Sequence, residues 1–324
     1  MIVLSHCGNT FLFYMFLIID SVKIIPSIFV LLIHLLNVDY MSTYYNFNGQ
    51  ITASSEVKLS VSDLSILRGY GIFDYFLVRQ KTVMFLDDYL NRFYGSAQIL
   101  GLTIPVSKDE MAQQIYALIE ANNTSDAGIR LLLTGGYSED GYTPSTPNYL
   151  ILQHPISWVP QKDYETGIKL ITHLFQRELP EVKSINYLTG IKLQQEMKNA
   201  GAGEILYHDG MFYRETVRAN VFFVVNDEIF TPAQKILKGI TRKHILTIAS
   251  KHFKVNEIEV PLNYLDKASE IFITSSTKGV LPVVNVDGMM IGQGKPGPKA
   301  SLLLTEWEKH CEAYIKDHSN QFAH

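Results

Sequence analysis

Three separated segments of the chain carry side chains that could act on a bound organic cofactor. Lys183 stands shortly after Pro180 and just before a helical pattern, and Glu215 and Arg218 stand at the end of a predicted hairpin strand. Further along, Gly239 opens a predicted helix, whose free N–H groups and dipole suit an anion. An amine nucleophile, an acid and an anion site are what a cofactor with an aldehyde, a pyridine ring and a phosphate requires.

Each segment taken alone has an ordinary interpretation: a solvated loop lysine, an ion pair at a strand end, a common kind of helix start. The interpretation changes when they are taken together with three other segments. These are residues 68–74 (Arg-Gly-Tyr-Gly-Ile-Phe-Asp), 85–93 (Phe-Leu-Asp-Asp-Tyr-Leu-Asn-Arg-Phe) and 274–277 (Thr-Ser-Ser-Thr). In this order the segments resemble the class IV aminotransferases, and the resemblance runs from about Tyr44 to about Lys316.

The family that the chain resembles includes branched-chain aminotransferase, D-amino-acid aminotransferase and aminodeoxychorismate lyase. The resemblance implies pyridoxal 5′-phosphate (PLP) as the cofactor, attached to Lys183 as a Schiff base. Once substrate releases this lysine, its amine is expected to carry the proton between the substrate Cα and the cofactor C4′. By the same resemblance, Glu215 pairs with the pyridine nitrogen and Tyr187 forms a hydrogen bond with the ring oxygen O3′.

The resemblance also implies a phosphate cup, made by Arg92, the backbone N–H groups of Ile240 and Thr241, and the hydroxyls of Thr241 and Ser276. Arginine suits this position because its planar fork meets phosphate with two parallel hydrogen bonds. Many family members have a histidine three residues before the phosphate arginine, where this chain has Tyr89. We interpret that difference as a change in packing.

The substrate residues depart most from the family pattern. Where the usual motif is Glu-Gly-Ser, residues 215–218 read Glu-Thr-Val-Arg, and an arginine so close to the cofactor acid is costly unless an anion meets it. Arg218 and Arg68 are the two arginines of the motif segments without an evident partner, and they are therefore candidates for holding a substrate α-carboxylate, as in a subgroup of D-amino-acid aminotransferases. By resemblance, Arg68 would lie near the subunit boundary of a homodimer and serve the neighbouring site. The competing interpretation pairs Arg68 with Asp63 or Asp74.

These residues favour transamination between a D-amino acid and a 2-oxo acid such as 2-oxoglutarate. A branched-chain L-amino-acid aminotransferase is an alternative, because Tyr70 and Phe73, with Tyr75 and Phe76, could line an apolar pocket. An aminodeoxychorismate lyase is another, since it would share the cofactor residues and differ only in the pocket. Outside the enzymes, a protein that binds the cofactor without turnover, or a membrane-tethered binding module, stays open.

Composition argues against several other classes of protein. The chain has 324 residues, of which 47% are hydrophobic, and a formal net charge of -4, so a sizeable core is expected and a nucleic-acid partner is not. The sequence contains no H-E-x-x-H, P-loop or G-x-G-x-x-G motif, and we expect no metal. Cys7 and Cys311 stand far apart and form no disulfide framework, so a cytoplasmic location is expected.

The elements that must position these residues alternate between strands and helices, which indicates an α+β (mixed α/β) fold. Asn48 and Gly49 predict a hairpin turn. Ser107 with Glu110 predicts a capping box that opens a helix. Further helices are predicted at residues 88–100, 188–199, 241–251 and 298–316, and strands at residues 72–78, 82–86, 129–133, 149–152, 168–172, 204–207, 211–216, 221–225, 228–230 and 271–274.

The first forty residues differ in kind from the rest. Their apolar runs at residues 11–19 and 24–36 are each shorter than the about 20 residues that a membrane span needs. We interpret residues 1–40 as a disordered leader or an extension ahead of a true start at Met41, with a membrane anchor as the alternative. The remainder is predicted to have a small N-terminal α/β domain at residues 41–153, a linker at 154–162 and a larger PLP-binding domain at 163–324, the two-domain fold type IV arrangement that the resemblance implies.

Overall fold

The computed structural model describes residues 43–319, so the leader predicted at residues 1–40 lies outside the described residues. The strands form two sheets. Those of the first sheet are β1 (Tyr44–Phe47), β2 (Gln50–Ala53), β3 (Gly71–Arg79), β4 (Thr82–Val83), β5 (Ala127–Thr134) and β6 (Tyr149–His154). They lie in the order β2-β1-β6-β5-β3-β4, and each neighbouring pair is antiparallel.

The second sheet is larger and mixed. Its strands are β7 (Ile168–Leu174), β8 (Glu204–His208), β9 (Phe212–Thr216), β10 (Asn220–Val225), β11 (Glu228–Pro232), β12 (Val255–Ile258), β13 (Val260–Pro261), β14 (Glu270–Ser275), β15 (Gly279–Val286) and β16 (Met289–Met290). The order is β12-β11-β10-β14-β15-β7-β8-β9-β13, and β16 pairs with β15. The pairings β11–β12, β15–β7 and β7–β8 are parallel and the others are antiparallel.

The helices cover and connect the two sheets. They are α1 (Leu64–Arg68), α2 (Leu86–Ile99), α3 (Lys108–Asn122), α4 (Gln161–Thr166), α5 (Leu188–Lys192), α6 (Gln194–Asn199), α7 (Ile240–Ala249), α8 (Tyr264–Lys267) and α9 (Pro298–His318). Among the described residues, no helix is both long enough and apolar enough to cross a membrane. The mixture of helices and sheets confirms the α+β fold class.

Short-range sequence signals predicted the local geometry correctly. Asn48 (φ 50°) and Gly49 (φ 88°) both have the left-handed backbone that a two-residue hairpin turn requires, and they join β1 to β2. At the start of α3, the Ser107 hydroxyl accepts from the Glu110 N–H at 3.2 Å, and the Glu110 carboxylate accepts from the Ser107 N–H at 2.8 Å. The predicted capping box is therefore present.

Two predicted elements are wrong in their limits. The strand predicted at residues 82–86 is shorter, because Phe85 has a left-handed backbone (φ 53°) that turns the chain into α2 at Leu86. The single helix predicted at residues 188–199 is two helices, α5 and α6. They are separated by the buried Leu193, whose ψ of 0° departs from helical geometry.

Backbone hydrogen bonds join the two halves of the chain at β3. The Phe73 N–H donates to the carbonyl of Lys183 at 2.9 Å, and the Ile185 N–H donates to the carbonyl of Gly71 at 3.1 Å. The segment that carries Lys183 is thereby fixed to the first sheet, and the largest apolar cluster also contains residues of both sheets. The division into two domains at residues 154–162 stays a prediction.

Candidate active site

Lys183 lies beside the ring of Phe73, with its Nζ 4.7 Å from the ring centroid. The pKa of Lys183 is lowered to about 8, mainly by burial and then by the nearby Arg92 guanidinium, while Asp74 and Glu215 act in the opposite direction. An amine with this pKa is neutral in a useful fraction of molecules near neutral pH. That is the state required of a nucleophile or a general base.

Glu215, at the end of β9, is buried and held at both carboxylate oxygens. Oε1 accepts from Nη1 of Arg177 at 3.0 Å, and Oε2 accepts from the Leu237 N–H at 3.0 Å. Burial raises the pKa of Glu215, and the Arg177 guanidinium is the main influence that opposes this rise. Arg177 also donates to the carbonyls of Pro180 (3.1 Å) and Val182 (2.6 Å), so it ties the loop before Lys183 to the acid.

Tyr187 occupies the position just before α5, and its ring packs edge-on against Phe73, with the ring centroids 5.5 Å apart. Burial raises the pKa of the Tyr187 hydroxyl. The hydroxyl therefore stays protonated near neutral pH and can donate a hydrogen bond to an oxygen anion placed beside it.

Arg92 projects from α2 and is oriented by Asp74 on β3. Its Nε and Nη2 donate to the two oxygens of Asp74 at 2.9 Å and 2.6 Å, and its Nη1 donates to the carbonyl of Lys238 at 3.3 Å. Asp74 is fully buried, so this two-point pair fixes the guanidinium plane. The suggested pairing of Asp74 with Arg68 is therefore wrong, because Asp74 is engaged by Arg92.

The start of α7 approaches β10 closely, and Gly239 makes that approach possible. A Cβ at this position would lie 2.2 Å from Oδ1 of Asn220, whose Nδ2 donates to the carbonyl of Leu237 at 2.8 Å. The N–H groups of Ile240 and Thr241 stand in the first turn of α7, where backbone donors have no partner inside the helix. They are free to receive an anion.

Ser276 follows β14, and its Oγ lies 2.7 Å from the hydroxyl of Tyr89. Burial raises the pKa of Tyr89 to about 12, so the phenol is neutral and can donate. The Tyr89 ring also packs on Phe76, with centroids 5.2 Å apart. Tyr89, interpreted from the sequence as a packing change, thus has a polar contact with the predicted phosphate cup as well.

One cavity, here named the cofactor cavity, is lined by every residue predicted to hold the cofactor: Arg92, Lys183, Tyr187, Glu215, Ile240, Thr241 and Ser276. Two further hydroxyls, those of Thr274 and Ser275, belong to residues that line it and are buried without a hydrogen-bond partner among the described residues. Buried hydroxyls of this kind usually have partners. The cavity thus offers two hydroxyls without partners, a lysine with a lowered pKa, a carboxylate held by hydrogen bonds and the unpaired N–H groups at the start of α7. This set of groups fits a phosphorylated pyridine aldehyde such as PLP.

Arg218 also lines the cofactor cavity, but it does not lack a partner as the sequence suggested. Its Nε and Nη2 both contact Oε1 of the buried Glu204, at 3.1 Å and 3.0 Å. The same oxygen contacts Nζ of Lys278 at 3.1 Å. Arg218 is therefore positioned by a pairing that the sequence did not indicate, while its side chain stays largely exposed.

The other three predicted substrate residues are not all at the cofactor cavity. Neither Phe73 nor Tyr70 is among the residues that line the cavity. Phe73 contacts the lining residues Lys183 and Tyr187, whereas Tyr70 donates from its hydroxyl to the carbonyl of Leu100. Tyr70 is therefore a poor candidate for a pocket wall within this chain.

Arg68 is exposed at the end of α1, away from the residues that line the cofactor cavity. No ion pair joins Arg68 to another described residue, since Asp63 accepts from Ser65, Thr134 and Asn148 instead. The alternative of a structural ion pair is wrong for both proposed partners.

Three charged residues at the site were missed from the sequence: Arg177, Glu204 and Lys278. Lys278 directly follows the Thr-Ser-Ser-Thr motif, and Arg177 lies in the same loop as Lys183, so proximity to a motif could have indicated both. Glu204 carries no such signal, because its role depends on β8 lying beside the turn that holds Arg218.

Comparison with known proteins gives a consistent family. The family model described as amino-transferase class IV matches residues 71–286. A D-alanine aminotransferase of Bacillus licheniformis is 32% identical over 78% of this chain and 91% of that protein. A putative branched-chain-amino-acid aminotransferase of Methanocaldococcus jannaschii is 33% identical over 77% of this chain and 90% of that protein.

Among solved structures, a branched-chain amino acid aminotransferase from T.th. with pyridoxamine 5′-phosphate superposes with a TM-score of 0.79. The alignment covers 86% of this chain and 97% of that chain, at 23% identity. At this identity the similarity establishes the shared fold.

Proposed function

This chain belongs to the class IV aminotransferases, and we propose that it transfers the amino group of a D-amino acid to a 2-oxo acid such as 2-oxoglutarate. The chain is a PLP-dependent transaminase. The stereochemistry and the identity of the substrate are the proposed parts. They are supported by Arg218, an exposed guanidinium on the wall of the cofactor cavity.

Bound PLP supplies an electron-withdrawing ring that makes the hydrogen on the substrate Cα acidic. Lys183 would hold the cofactor and then move that proton, because its amine, with a pKa of about 8, is close enough to neutrality to act as a base. Glu215, whose anionic form is favoured by Arg177, would hold a proton on the pyridine nitrogen. The neutral Tyr187 hydroxyl would donate to the ring oxygen.

The phosphate cup would anchor the cofactor during this proton movement. Arg92 is already oriented by Asp74, so little conformational entropy is lost when phosphate binds. The first-turn N–H groups of Ile240 and Thr241 and the Ser276 hydroxyl would supply the remaining donors. This anchoring would keep the reacting carbon near Lys183 through both half-reactions.

A branched-chain L-amino-acid substrate is the second candidate. It is supported by the Methanocaldococcus jannaschii relative and by the apolar ring of Phe73 next to Lys183. Against it stands Tyr70, whose hydroxyl is engaged by a backbone carbonyl outside the cavity. An L-branched-chain specificity also leaves Arg218 without a task beyond its contact with Glu204.

We further propose that the enzyme is a cytoplasmic homodimer in which Arg68 enters the partner's cofactor cavity. Arg68 lies at the end of α1 beside exposed apolar residues, Ile66 and Leu67, which a partner subunit would cover. Cys311, the cysteine within the described residues, is a free buried thiol, as is usual in a reducing compartment.

The half-reaction tests the substrate directly. The full chain is loaded with PLP, and the visible band of the lysine-bound cofactor is followed after D-glutamate, D-alanine or L-leucine is added separately. We expect the D-amino acids to discharge the band. Arg218→Leu should raise the D-glutamate concentration needed for half-discharge about 100-fold, since a charge-assisted carboxylate contact contributes about 2–3 kcal/mol.

Lys183→Ala, which removes the amine, is the control for the band itself and should lack it. Discharge by L-leucine alone would keep the cofactor residues and move the function to branched-chain amino acids. Unchanged D-glutamate dependence in Arg218→Leu would remove the main support for the D-amino-acid assignment.

A further inference from the structure

We propose that Glu204 and Lys278 are positioning residues for Arg218, and that the three side chains form one receptor for a substrate carboxylate. The inference rests on the proposed function only in taking Arg218 as a substrate contact. Neither Glu204 nor Lys278 lines the cofactor cavity, so each is expected to act through Arg218. We name these three residues the carboxylate receptor.

The geometry of Arg218 leaves one edge of its guanidinium available. The edge formed by Nε and Nη2 is engaged by a single oxygen of Glu204, at 3.1 Å and 3.0 Å. Within residues 43–319, no partner accepts a hydrogen bond from Nη1. The Arg218 side chain is 62% exposed, so its Nη1–Nη2 edge can meet a carboxylate with two parallel hydrogen bonds.

The charges of the receptor do not balance without an anion. Glu204 is 1% exposed, and the oxygen that contacts Arg218 also contacts Nζ of Lys278 at 3.1 Å, with the lysine side chain 11% exposed. Two cations therefore share one buried carboxylate. Tyr207, which also interacts with Glu204, adds no negative charge near neutral pH, because burial raises its pKa to about 12.

This excess positive charge has a physical consequence for binding. If Glu204 faced Arg218 alone, the ion pair would be neutral and the guanidinium would attract a second carboxylate only weakly. Lys278 offsets the negative charge of Glu204, so Arg218 keeps its attraction for substrate while Glu204 keeps its orientation. A partly buried cation is costly unless an anion meets it, and the substrate carboxylate would be that anion.

The test measures binding of propionate, a carboxylate without an amino or oxo group, to the PLP-loaded full chain by isothermal titration calorimetry. Lys278→Met keeps the length of the side chain and removes its charge. Because a lost charge a few ångströms from an anion costs on the order of 1–2 kcal/mol, propionate should bind about tenfold more weakly. Lys278→Arg should restore binding to within about threefold of the wild type.

A matched control is available on the surface. Lys254 pairs with Glu228 at 2.9 Å, and neither residue lines the cofactor cavity. Lys254→Met also removes a lysine from a lysine–glutamate pair and should bind propionate as the wild type does. If the control loses as much affinity as Lys278→Met, net charge rather than the receptor is responsible, and the proposal is overturned.

Glu204→Gln gives an effect of opposite sign, because it keeps an acceptor oxygen beside Arg218 and removes the negative charge. Propionate should bind at least as tightly as to the wild type, and the double variant Glu204→Gln with Lys278→Met should return close to wild-type affinity. Equal weakening by both single variants would indicate a merely structural cluster and overturn the proposal. If Glu204→Gln does not fold, Lys278→Gln and Lys278→Arg decide the question by themselves.

The outcome can be separated from that of the proposed function. In steady-state transamination, Lys278→Met should raise the KM of the amino acid about tenfold and change kcat by less than about threefold. If D-amino acids fail to discharge the visible band, the proposed function fails, yet weaker propionate binding by Lys278→Met would still support the receptor. Unchanged propionate binding in that variant overturns the receptor even if D-amino acids react.

Discussion

At the scale of single residues, the protonation of Glu215 depends on one neighbour. Burial raises the pKa of this carboxyl, and Arg177 at 3.0 Å is the main group that favours the anion. Arg177 lies in the loop that also carries Lys183, and Glu215 lies on β9. Arg177 therefore favours a negative charge at the position where the pyridine nitrogen is expected.

Arg177→Ala should lower kcat about 100-fold, because Glu215 would take up a proton and no longer hold one on the ring nitrogen. The loss of one partner of a buried ion pair should also lower the free energy of unfolding by about 3–5 kcal/mol. In this variant kcat should rise with pH as Glu215 ionises, at a higher pH than in the wild type, because the Arg177 guanidinium no longer lowers the pKa of this carboxyl. Steady-state rates across pH and urea unfolding measure the two effects.

The adjacent Glu178 is exposed, so Glu178→Ala is a neighbouring control that should keep the wild-type kcat and stability. An Arg177→Ala enzyme with wild-type kcat at neutral pH would contradict this role for the pair.

At the scale of elements, a chain of hydrogen bonds joins α2, α7 and α9. Oδ2 of Asp88 lies 3.0 Å from Nε2 of His244, and Nδ1 of His244 lies 3.1 Å from Nε2 of His310. Lys243 also contacts Asp88, at 2.6 Å. With both imidazoles neutral, each Nε2–H donates and the chain is satisfied. With both rings protonated, Nδ1 of His244 and Nε2 of His310 would each carry a hydrogen, and the link between them would break.

The pKa values of His244 and His310 are both lowered, mainly by burial. For His244 the second cause is the neighbouring His310, and for His310 it is Lys251. A histidine whose pKa is lower in the folded state binds fewer protons there than in the unfolded chain. Its contribution to stability is therefore complete above the unfolded pKa of about 6.5 and is lost as pH falls below it.

The free energy of unfolding should accordingly fall between about pH 7.5 and about pH 5.5 through this pair. His310→Phe should reduce this fall, because it removes one titrating ring and the repulsion that His310 exerts on His244. Urea unfolding at the two pH values measures the difference. His252, exposed beyond the end of α7, supplies the control His252→Asn, which should keep the wild-type dependence.

A His310→Phe protein that loses as much stability as the wild type over this range would show that the linked histidines do not govern it. Groups elsewhere in the chain would then be responsible for the acid sensitivity.

The elements also show which contacts could be predicted from the sequence and which could not. The capping box at Ser107 and the hairpin turn at Asn48 were predicted because each depends on residues a few positions apart. Arg177 and Glu215 lie 38 positions apart and meet only because β7, β8 and β9 are neighbours in the second sheet. Such pairings depend on strand order, which local patterns do not contain.

The same limit explains the errors in the predicted substrate residues. Arg218 was taken to lack a partner because its distance to Glu204 depends on the pairing of β8 with β9. The residues of the cofactor cavity were predicted through resemblance to a family, which carries long-range information that one sequence lacks. Glu204 and Lys278 of the carboxylate receptor were missed because they lie outside the segments that carry the resemblance to the family.

At the scale of the whole molecule, the proposed homodimer makes Arg68 part of the neighbouring site. This can be tested by mixing Arg68→Leu and Lys183→Ala under conditions that exchange subunits, at a D-amino-acid concentration too low for Arg68→Leu to react. In a mixed dimer, the subunit that keeps Lys183 faces a partner that keeps Arg68, so one site is complete. Random exchange should restore about a quarter of the wild-type activity per subunit.

Each protein incubated alone under the same conditions is the control and should stay inactive. If mixing restores nothing although the subunits demonstrably exchange, Arg68 does not act in the partner's site.

The hydrogen bonds between β3 and the segment around Lys183 also bear on how assembly can be observed. The carbonyl of Lys183 accepts from Phe73 of the first sheet, while Glu215 lies on β9 of the second. In a refolding chain, the absorption band of the cofactor bound at Lys183 should therefore develop only after strands distant along the sequence have come together. The time course of this band would report the joining of the two sheets. Far-ultraviolet signals from individual helices do not report that event.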